Sequence, residues 1–412
     1  MKIKSIVQTV LFFAIAIAML IWLDGLFMKK YSSIKYKDFY ESNNNYDVLF
    51  YGSSLVQTGI FPTQLWEDYG ILSYNMGNYG EDIPMTYWVM KNSFDYYIPK
   101  IAIVDITMIR GKHDVKNDTD KYHYFFDTLP LSMNKYDAVN DVVAEGHRAQ
   151  YLWTFSTYHT RWNELFNKEY DECRYAMGAA PHMQVVYQER ETIDDTREIF
   201  IQDEVKEYLT RMEDLCEERG VHLIYTCLPK AKDDNIRKWC KEYAKETGIE
   251  YIDFYELDVV DKHFDFYDGA HMNSNGAIKV TRWLGDYLMK KDWGLSDNRD
   301  NQLYSKWTEN CKLFNLKQFE LFKNLQTLPE YLEFIAYKEL EAKIYIPKNS
   351  TINDDEDIQE LLQNIDSGHS SLFSLVDDET CVIKIEVYDS SELIDSANFV
   401  DNGSPQYERV YE

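Results

Sequence analysis

Cysteine is scarce and scattered. The six residues, Cys173, Cys216, Cys227, Cys240, Cys311 and Cys381, include no Cys-x-x-Cys pair, which argues against a zinc ribbon and a dense disulfide framework. Cys216, Cys227 and Cys240 fall on helix or strand core positions and read as buried thiols. Basic charge is also short. Forty-three Lys and Arg against 70 Asp and Glu leave a net charge of −27. Bulk charge therefore disfavours polyanions and argues against nucleic acid as a partner. His113, His123, His147, His182, His222, His263 and His369 form no cluster at metal-ligand spacing. No catalytic metal and no cofactor are expected.

Long apolar runs are limited to one. Ile6–Leu23 has only Gln8 and Thr9 as polar members, and as a helix it would span ~27 Å, about the hydrocarbon thickness. Lys2 and Lys4 precede it, and Trp22 sits near its end as interfacial aromatics do. No small-x-small cleavage site follows, and no lipobox cysteine. Residues 1–30 read as an uncleaved signal anchor, that is, a membrane-anchored single-pass chain; a cleaved signal peptide is the alternative. Lys29, Lys30, Lys35 and Lys37 follow the run, so flanking charge alone does not favour an external C-terminus. Large domains translocate largely regardless of such charge.

The remaining chain is long enough for two or three domains with ample core, at 412 residues and 45% hydrophobic. From Tyr46 to about Leu288 strands alternate with helices. Asp47–Tyr51, Leu72–Met76, Ile101–Asp105, Val221–Cys227 and Glu250–Phe254 read as strands. Between them lie a short helix framed by Pro62 and Gly70, a helix over Asp82–Phe94, one through Ile201–Leu215 ended by Gly220, and one over Asp233–Thr247 closed by Gly248. Asn273–Leu288 starts with an Asn/Ser cap and runs helical. Repeated strand–helix units mean an α/β fold, a parallel sheet with helices on both faces.

Two stretches carry chemistry. Asp47–Leu55, DVLFYGSSL, puts two serines just past a buried strand, where α/β sheets bind ligands. A polar turn is the alternative. Far downstream, Asp268–Ala277, DGAHMNSNGA, places Asp268 and His271 three apart in a polar loop. A serine needs a base, and the base works best when a carboxylate holds its tautomer. Two such half-motifs at opposite ends of one α/β pattern are much less frequent by chance than either alone.

Gly52-Ser53-Ser54-Leu55 resembles the first block of the SGNH (GDSL-type) hydrolases, with Ser53 in place of the usual aspartate. Asp268-Gly269-Ala270-His271 resembles their final Asp-x-x-His block. Asn75-Met76-Gly77-Asn78-Tyr79-Gly80 is similar to the second block. The resemblance, over about Asp47–Leu288, implies a three-layer, flavodoxin-like fold. It implies Ser54 as nucleophile, His271 as base, Asp268 as orienting acid, and the N–H groups of Ser54 and Gly80 as oxyanion donors. The third block normally supplies an asparagine after the third strand; here the chain reads Ile106-Thr107-Met108-Ile109-Arg110. Membrane-anchored members that handle envelope acyl groups, such as the DltD and alginate O-acetylation proteins, also depart from the four blocks. The chain resembles these more than secreted lipases.

Residues 111–190 interrupt the 31–295 hydrolase-like region as an insertion of weak periodicity. Its Tyr158-His159-Thr160-Arg161-Trp162 run suits a substrate wall, with Arg161 for an anionic group and Trp162 for a sugar face; a packing cluster is the alternative. Asn78 and His159 join them as candidate substrate contacts. Residues 296–330 read as a helical linker, polar at Asp297–Asn301 and amphipathic over Lys306–Leu328. Residues 331–412 read as a small β-rich accessory domain, from the alternation around Ile344 and Ile346 and around Ile383, Ile385 and Val387. Asp354-Asp355-Glu356-Asp357 lacks the glycine and terminal glutamate of an EF-hand loop and reads as a solvated acidic turn.

These readings combine into an extracytoplasmic serine esterase. It would cleave acyl esters, acetyl above all, on a cell-envelope glycan or acylated polymer. The alternatives are an O-acyltransferase to a polysaccharide hydroxyl, with a membrane acyltransferase as possible partner, and a catalytically silent glycan-binding or assembly protein.

Overall fold

The computed structural model describes the chain except residues 1, 29–34, 37, 41, 43–44, 110–121, 128, 166–174, 187–198, 231–234, 262, 367–371, 377–380, 390, 404–406 and 411–412. Lys29, Lys30, Lys37, Arg110, His113, Cys173 and His369 thus lie outside the described residues. Helix α1, Lys2–Phe27, is apolar and long enough to cross a membrane. A five-stranded parallel sheet follows, built from β1 (Val48–Tyr51), β2 (Ser73–Asn75), β3 (Ile101–Asp105), β4 (His222–Cys227) and β5 (Glu250–Asp253). Its order is β2-β1-β3-β4-β5, the doubly wound order whose switch point lies between β1 and β3.

Sequence explains this arrangement locally. All four residues of β1 are buried, as strands covered by helices on both faces must be. Val48 pairs with Ser73 on one side and Ile101 on the other. Between strands run α2 (Ser54–Gly59), α3 (Pro62–Tyr69), α4 (Ile83–Phe94), α5 (Met133–Val142), α6 (Asp203–Arg219) and α7 (Ile236–Thr247). Pro62 opens α3, and the N–H of Gly70 closes it on Leu65 and Trp66. Asp82, expected inside the next helix, instead caps it by accepting the Met85 N–H at 3.0 Å. Asn273 likewise caps α8 (Ser274–Met289), accepting the N–H groups of Asn275 and Gly276 at 3.1 Å. Cys216, Cys227 and Cys240 are buried free thiols.

After α8 come α9 (Ser305–Phe322) and α10 (Leu328–Lys338), then a second sheet. Its strands are β6 (Glu341–Pro347), β7 (Leu372–Val376), β8 (Ile383–Asp389), β9 (Glu392–Val400) and β10 (Glu408–Val410), ordered β10-β9-β8-β6-β7. Its pairings are antiparallel except β6–β7, which is parallel and bridged by α11 (Glu356–Asp366). The acidic run expected as a solvated turn leads into that helix. Asp355 Oδ1 accepts the Ile358 N–H at 3.1 Å and Oδ2 accepts the Tyr407 hydroxyl at 2.9 Å. Acidic residues there suit the positive end of the helix dipole. The polar stretch read as a linker is tied down: Asn298 N–H reaches Gly70 O at 3.2 Å, and Arg299 Nη1 reaches Glu67 O at 2.7 Å.

By its internal contacts the chain divides into two compact units. One comprises Met1–Gln57, Ser73–Gly178 and Phe200–Ile224; the other comprises Thr58–Leu72, Ala179–Ile199 and Tyr225–Glu412.

Candidate active site

In the first unit the chain leaves β1 through Gly52, whose φ of 141° is open only to glycine. A Cβ there would also stand 2.8 Å from Val56 and 3.2 Å from Asp105. The next two serines have different fates. Ser53 is buried; its carbonyl accepts the N–H groups of Val56 at 3.0 Å and Gln57 at 3.2 Å, and its Oγ accepts that of Leu55 at 3.3 Å. Ser54, the first residue of α2, is half-buried and reaches the surface. It follows the end of β1 beside the switch point, where this topology leaves a crevice.

The second block is sewn to this turn. Asn78 N–H donates to Gly52 O at 3.0 Å, and Met76 N–H to Phe50 O at 2.8 Å. Asn75 Nδ2 donates to Val56 O at 2.7 Å while its Oδ1 accepts the Gly77 N–H at 3.1 Å. A Cβ on Gly77 would lie 2.7 Å from Val56 Cβ and 3.0 Å from Ser53 O, so glycine permits this close approach. The amide of Asn78 works within its own loop, accepting the Tyr79 N–H at 2.9 Å and donating to Tyr124 O at 3.1 Å. Gly80 follows with φ 68°, which turns the backbone at the candidate oxyanion donor.

Beyond β3, where the third-block asparagine is missing, Asp105 folds back on its own turn. Its Oδ1 accepts both the N–H and the hydroxyl of Thr107.

A segment just past α1 secures the same loop. The buried ammonium of Lys35 donates to Gly77 O, and Tyr36 hydroxyl donates to Met76 O at 2.7 Å. Tyr74 hydroxyl returns a bond to Lys35 O at 2.6 Å. Glu81, next to Gly80, is fully buried; burial, only partly offset by Thr86 and the Lys35 charge, pushes its carboxyl well above the usual range.

In the second unit the Asp268–Ala270 turn builds the acid–base pair. Asp268 Oδ1 accepts the N–H groups of Ala270 and His271, each at 2.7 Å. His271 Nδ1 stands 2.9 Å from Asp268 Oδ2 and 3.0 Å from Oδ1. Partial burial acts to raise the Asp268 pKa, but the two N–H donors and the imidazole outweigh it and hold the carboxylate below its ordinary value. With Nδ1 facing the carboxylate, Nε2 is the ring nitrogen turned away from Asp268.

Two residues not anticipated as site members frame this loop. Tyr267 stacks on His271 with ring centroids 5.5 Å apart, and His182 stacks on Tyr267 at 4.1 Å. The His182 carbonyl accepts the Ser274 N–H at 2.6 Å, and Val186 N–H donates to Phe266 O at 2.9 Å. Burial, followed by the His271 charge, lowers the His182 pKa against the pull of Asp268. Beneath the loop, Lys279 of α8 donates to both oxygens of buried Asp265 at 2.9 Å and lies 3.5 Å from Glu333 of α10. Burial pushes Glu333 up to about 8, with Lys279 opposing and the charges of Asp265 and Asp261 adding to the rise. His182 lies near the end of the 111–190 insertion and Glu333 in the C-terminal region. No local pattern marked either.

The insertion's other candidates occupy a different place. Arg161 Nη1 donates to Phe27 O at 2.9 Å, and Trp162 packs edge-on to Phe27 at 4.4 Å. His159 Nδ1 pairs with Ser156 O at 3.0 Å. The structure thus ties the turn before and after Ser54 to the Asn75–Asn78 segment and pairs Asp268 with His271, and it places Arg161 and Trp162 at the end of α1.

No known protein family matches the sequence, and no curated protein does. Among solved structures, a candidate acylhydrolase from Bacteroides fragilis is 14% identical, with a TM-score of 0.32 over 60% of this chain and 89% of its own. A GDSL-like lipase from Bacteroides thetaiotaomicron is 12% identical, TM-score 0.29, over 59% and 87%. A candidate platelet activating factor from Streptococcus pneumoniae is 12% identical, TM-score 0.33, over 67% and 99%. At these scores the likeness carries no argument about activity. The functional reading rests on the residues themselves.

Proposed function

We propose that this chain is a membrane-anchored serine esterase of SGNH type acting outside the cytoplasm on acyl esters, acetyl above all, of a cell-envelope glycan. Ser54 Oγ attacks the acyl carbon while His271 takes its proton; His271 then protonates the leaving sugar oxygen. Water, activated by the same imidazole, attacks the acyl-serine, releases the acid and restores Ser54. The N–H groups of Ser54 and Gly80 stabilise the oxyanion; one such donor is worth about 10²–10³ in rate.

The observation that carries the reading is the Asp268–His271 pair. A carboxylate held by two backbone N–H groups and facing Nδ1 fixes the tautomer a serine base requires. The half-buried Ser54 beside a buried Ser53, whose Oγ accepts the Leu55 N–H, supports Ser54 as the nucleophile. A fluorophosphonate probe on the full chain, followed by peptide mapping, tests it. Label on Ser54, lost in Ser54→Ala and kept in Ser53→Ala, is expected; equal labelling of Ser54→Ala and the parent overturns it.

A second reading, transfer to a glycan hydroxyl instead of water, draws on the third-block turn. There Thr107 gives its hydroxyl to Asp105, which leaves part of the oxyanion environment for an acceptor or partner to complete. Acetylated oligosaccharide formed alongside free acetate, read by mass spectrometry, separates the two.

A further inference from the structure

We infer that the surface around the end of α1 is a bilayer-facing belt, in which Leu131, Met133, Trp153 and Trp162 sit at the lipid headgroup level and fix the stance of the first unit over the membrane. The inference rests on α1 being a membrane anchor and adds to that reading.

Along most of α1 large apolar side chains face outward, from Ile3 to Trp22. Those twenty residues rise ~30 Å, the thickness of the hydrocarbon core. The last turn is different, because it is built into the folded unit. Phe27 is fully buried, with Phe155 at 5.5 Å and Trp162 at 4.4 Å. The Asp24 carboxylate accepts the Thr154 hydroxyl at 2.9 Å and the Phe155 N–H. Arg161 caps the Phe27 carbonyl at 2.9 Å, one of the orphan acceptors of a helix end. From Trp22 to Phe27 the helix rises only ~7.5 Å. A headgroup layer is about 5–7 Å deep on each side. Whatever is fastened to Asp24 and Phe27 is therefore held at that layer.

The fastened surface exposes two tryptophans among polar neighbours. Trp162 is 61% exposed while its ring edge packs on Phe27, and Trp153 is 43% exposed beside Phe155 at 5.6 Å. Asp127 accepts the Tyr158 hydroxyl, and Lys135 in the first turn of α5 donates to Leu129 O at 3.3 Å, which ties the start of α5 to the segment that Asp24 and Phe27 hold. Just ahead of it Leu131 and Met133 are 80% and 72% exposed. Single exposed apolar residues are ordinary. Four large ones from three segments, gathered at the exit of an apolar helix and including two tryptophans, match an interfacial belt. Continuity with the lipid-facing side of α1 selects the bilayer over a protein as the occupant.

The test uses the full chain with Cys173→Ser and Cys381→Ser, reconstituted in phosphatidylcholine nanodiscs. Single nitroxides at Leu131→Cys, Met133→Cys and Trp162→Cys are compared with Ile15→Cys and with Leu303→Cys, an exposed position on the other unit. Accessibility to oxygen and to an aqueous nickel chelate reads depth. We expect the three belt labels to be shielded from nickel and open to oxygen, between the Ile15 and Leu303 values. Leu131 and Met133 bear the test should Trp162→Cys loosen the fold. Belt labels as aqueous as Leu303, with Ile15 lipidic, overturn the belt alone. An aqueous Ile15 overturns the anchor reading as well. Belt labels shielded only in native membranes, never in pure lipid, overturn the bilayer in favour of a protein occupant.

Discussion

The ammonium of Lys35 donates to the carbonyl of Gly77, so a residue just past the apolar helix holds the loop that presents Gly80. Lys35→Met keeps the length of the side chain and removes that bond. Loop displacement of the order of 1 Å costs up to about 10² in turnover. We expect kcat for a small acetyl ester to fall 10- to 100-fold by that estimate, with KM nearly unchanged and with partial rescue by Lys35→Arg. An unchanged kcat would remove Lys35 from any positioning role.

Asp268→Asn should leave the fold intact, because the amide oxygen can still accept the N–H groups of Ala270 and His271. It should lower turnover on the order of 10⁴, as loss of the orienting carboxylate does in serine triads. Circular dichroism and steady-state rates on one preparation check both halves; a loss below tenfold would contradict the assigned role.

Gly77→Ala drives a Cβ to 2.7 Å from Val56 Cβ and 3.0 Å from Ser53 O. Overpacking of this kind costs about 1–3 kcal/mol, and here the strain falls on the turn that aims Ser54. A lower Tm together with slower fluorophosphonate labelling is the expected outcome. A stable, slowly labelled variant and an unstable, fully labelled one would each break the link between this contact and the nucleophile.

Glu333 gives a pH signature. Its folded pKa, raised by burial to about 8 from an ordinary 4.5, means the folded chain holds a proton that the unfolded chain has released. Stability therefore falls as pH rises from about 4.5 to about 8, with Lys279, Asp265 and Asp261 facing the same carboxyl. Glu333→Gln keeps the Lys279–Asp265 pair and abolishes this contribution. Melting curves across that window should decline less in the variant than in the parent; parallel curves would show that Glu333 does not titrate there.

The legible parts of this molecule were those whose cause is local. The all-apolar β1, Pro62 and Gly70 around α3, Gly220 after α6 and the Asn273 cap each announce themselves within a few residues. So does the Asp268–His271 pair, because a three-residue turn brings its members together. The illegible parts depend on long-range contacts. Nothing near Lys35 signals Gly77, and nothing near Glu333 signals Lys279. His182 joins the site only because its segment bonds to Ser274 and Phe266. The insertion's Arg161 and Trp162, which the Tyr158–Trp162 run offers either as ligand contacts or as a packing cluster, meet Phe27. The acidic run at Asp354–Asp357 is solvent-facing as read, but that its second half opens a helix capped through Asp355 carries no strong sequence mark.

On the anchor reading, the buried Phe27 also couples the lipid around α1 to the folded state. The last turn of α1 belongs at once to an apolar helix and to the packing of the first unit. Unfolding that unit frees the turn, and withdrawing the helix from its solvent strips Phe155 and Trp162 of their partner. Anything that binds the folded form alone raises apparent stability by mass action. On the anchor reading, lipid raises the melting temperature only by as much as it holds the folded form more tightly than the unfolded one, whose α1 it also solvates, and changing acyl-chain length should move it to that extent.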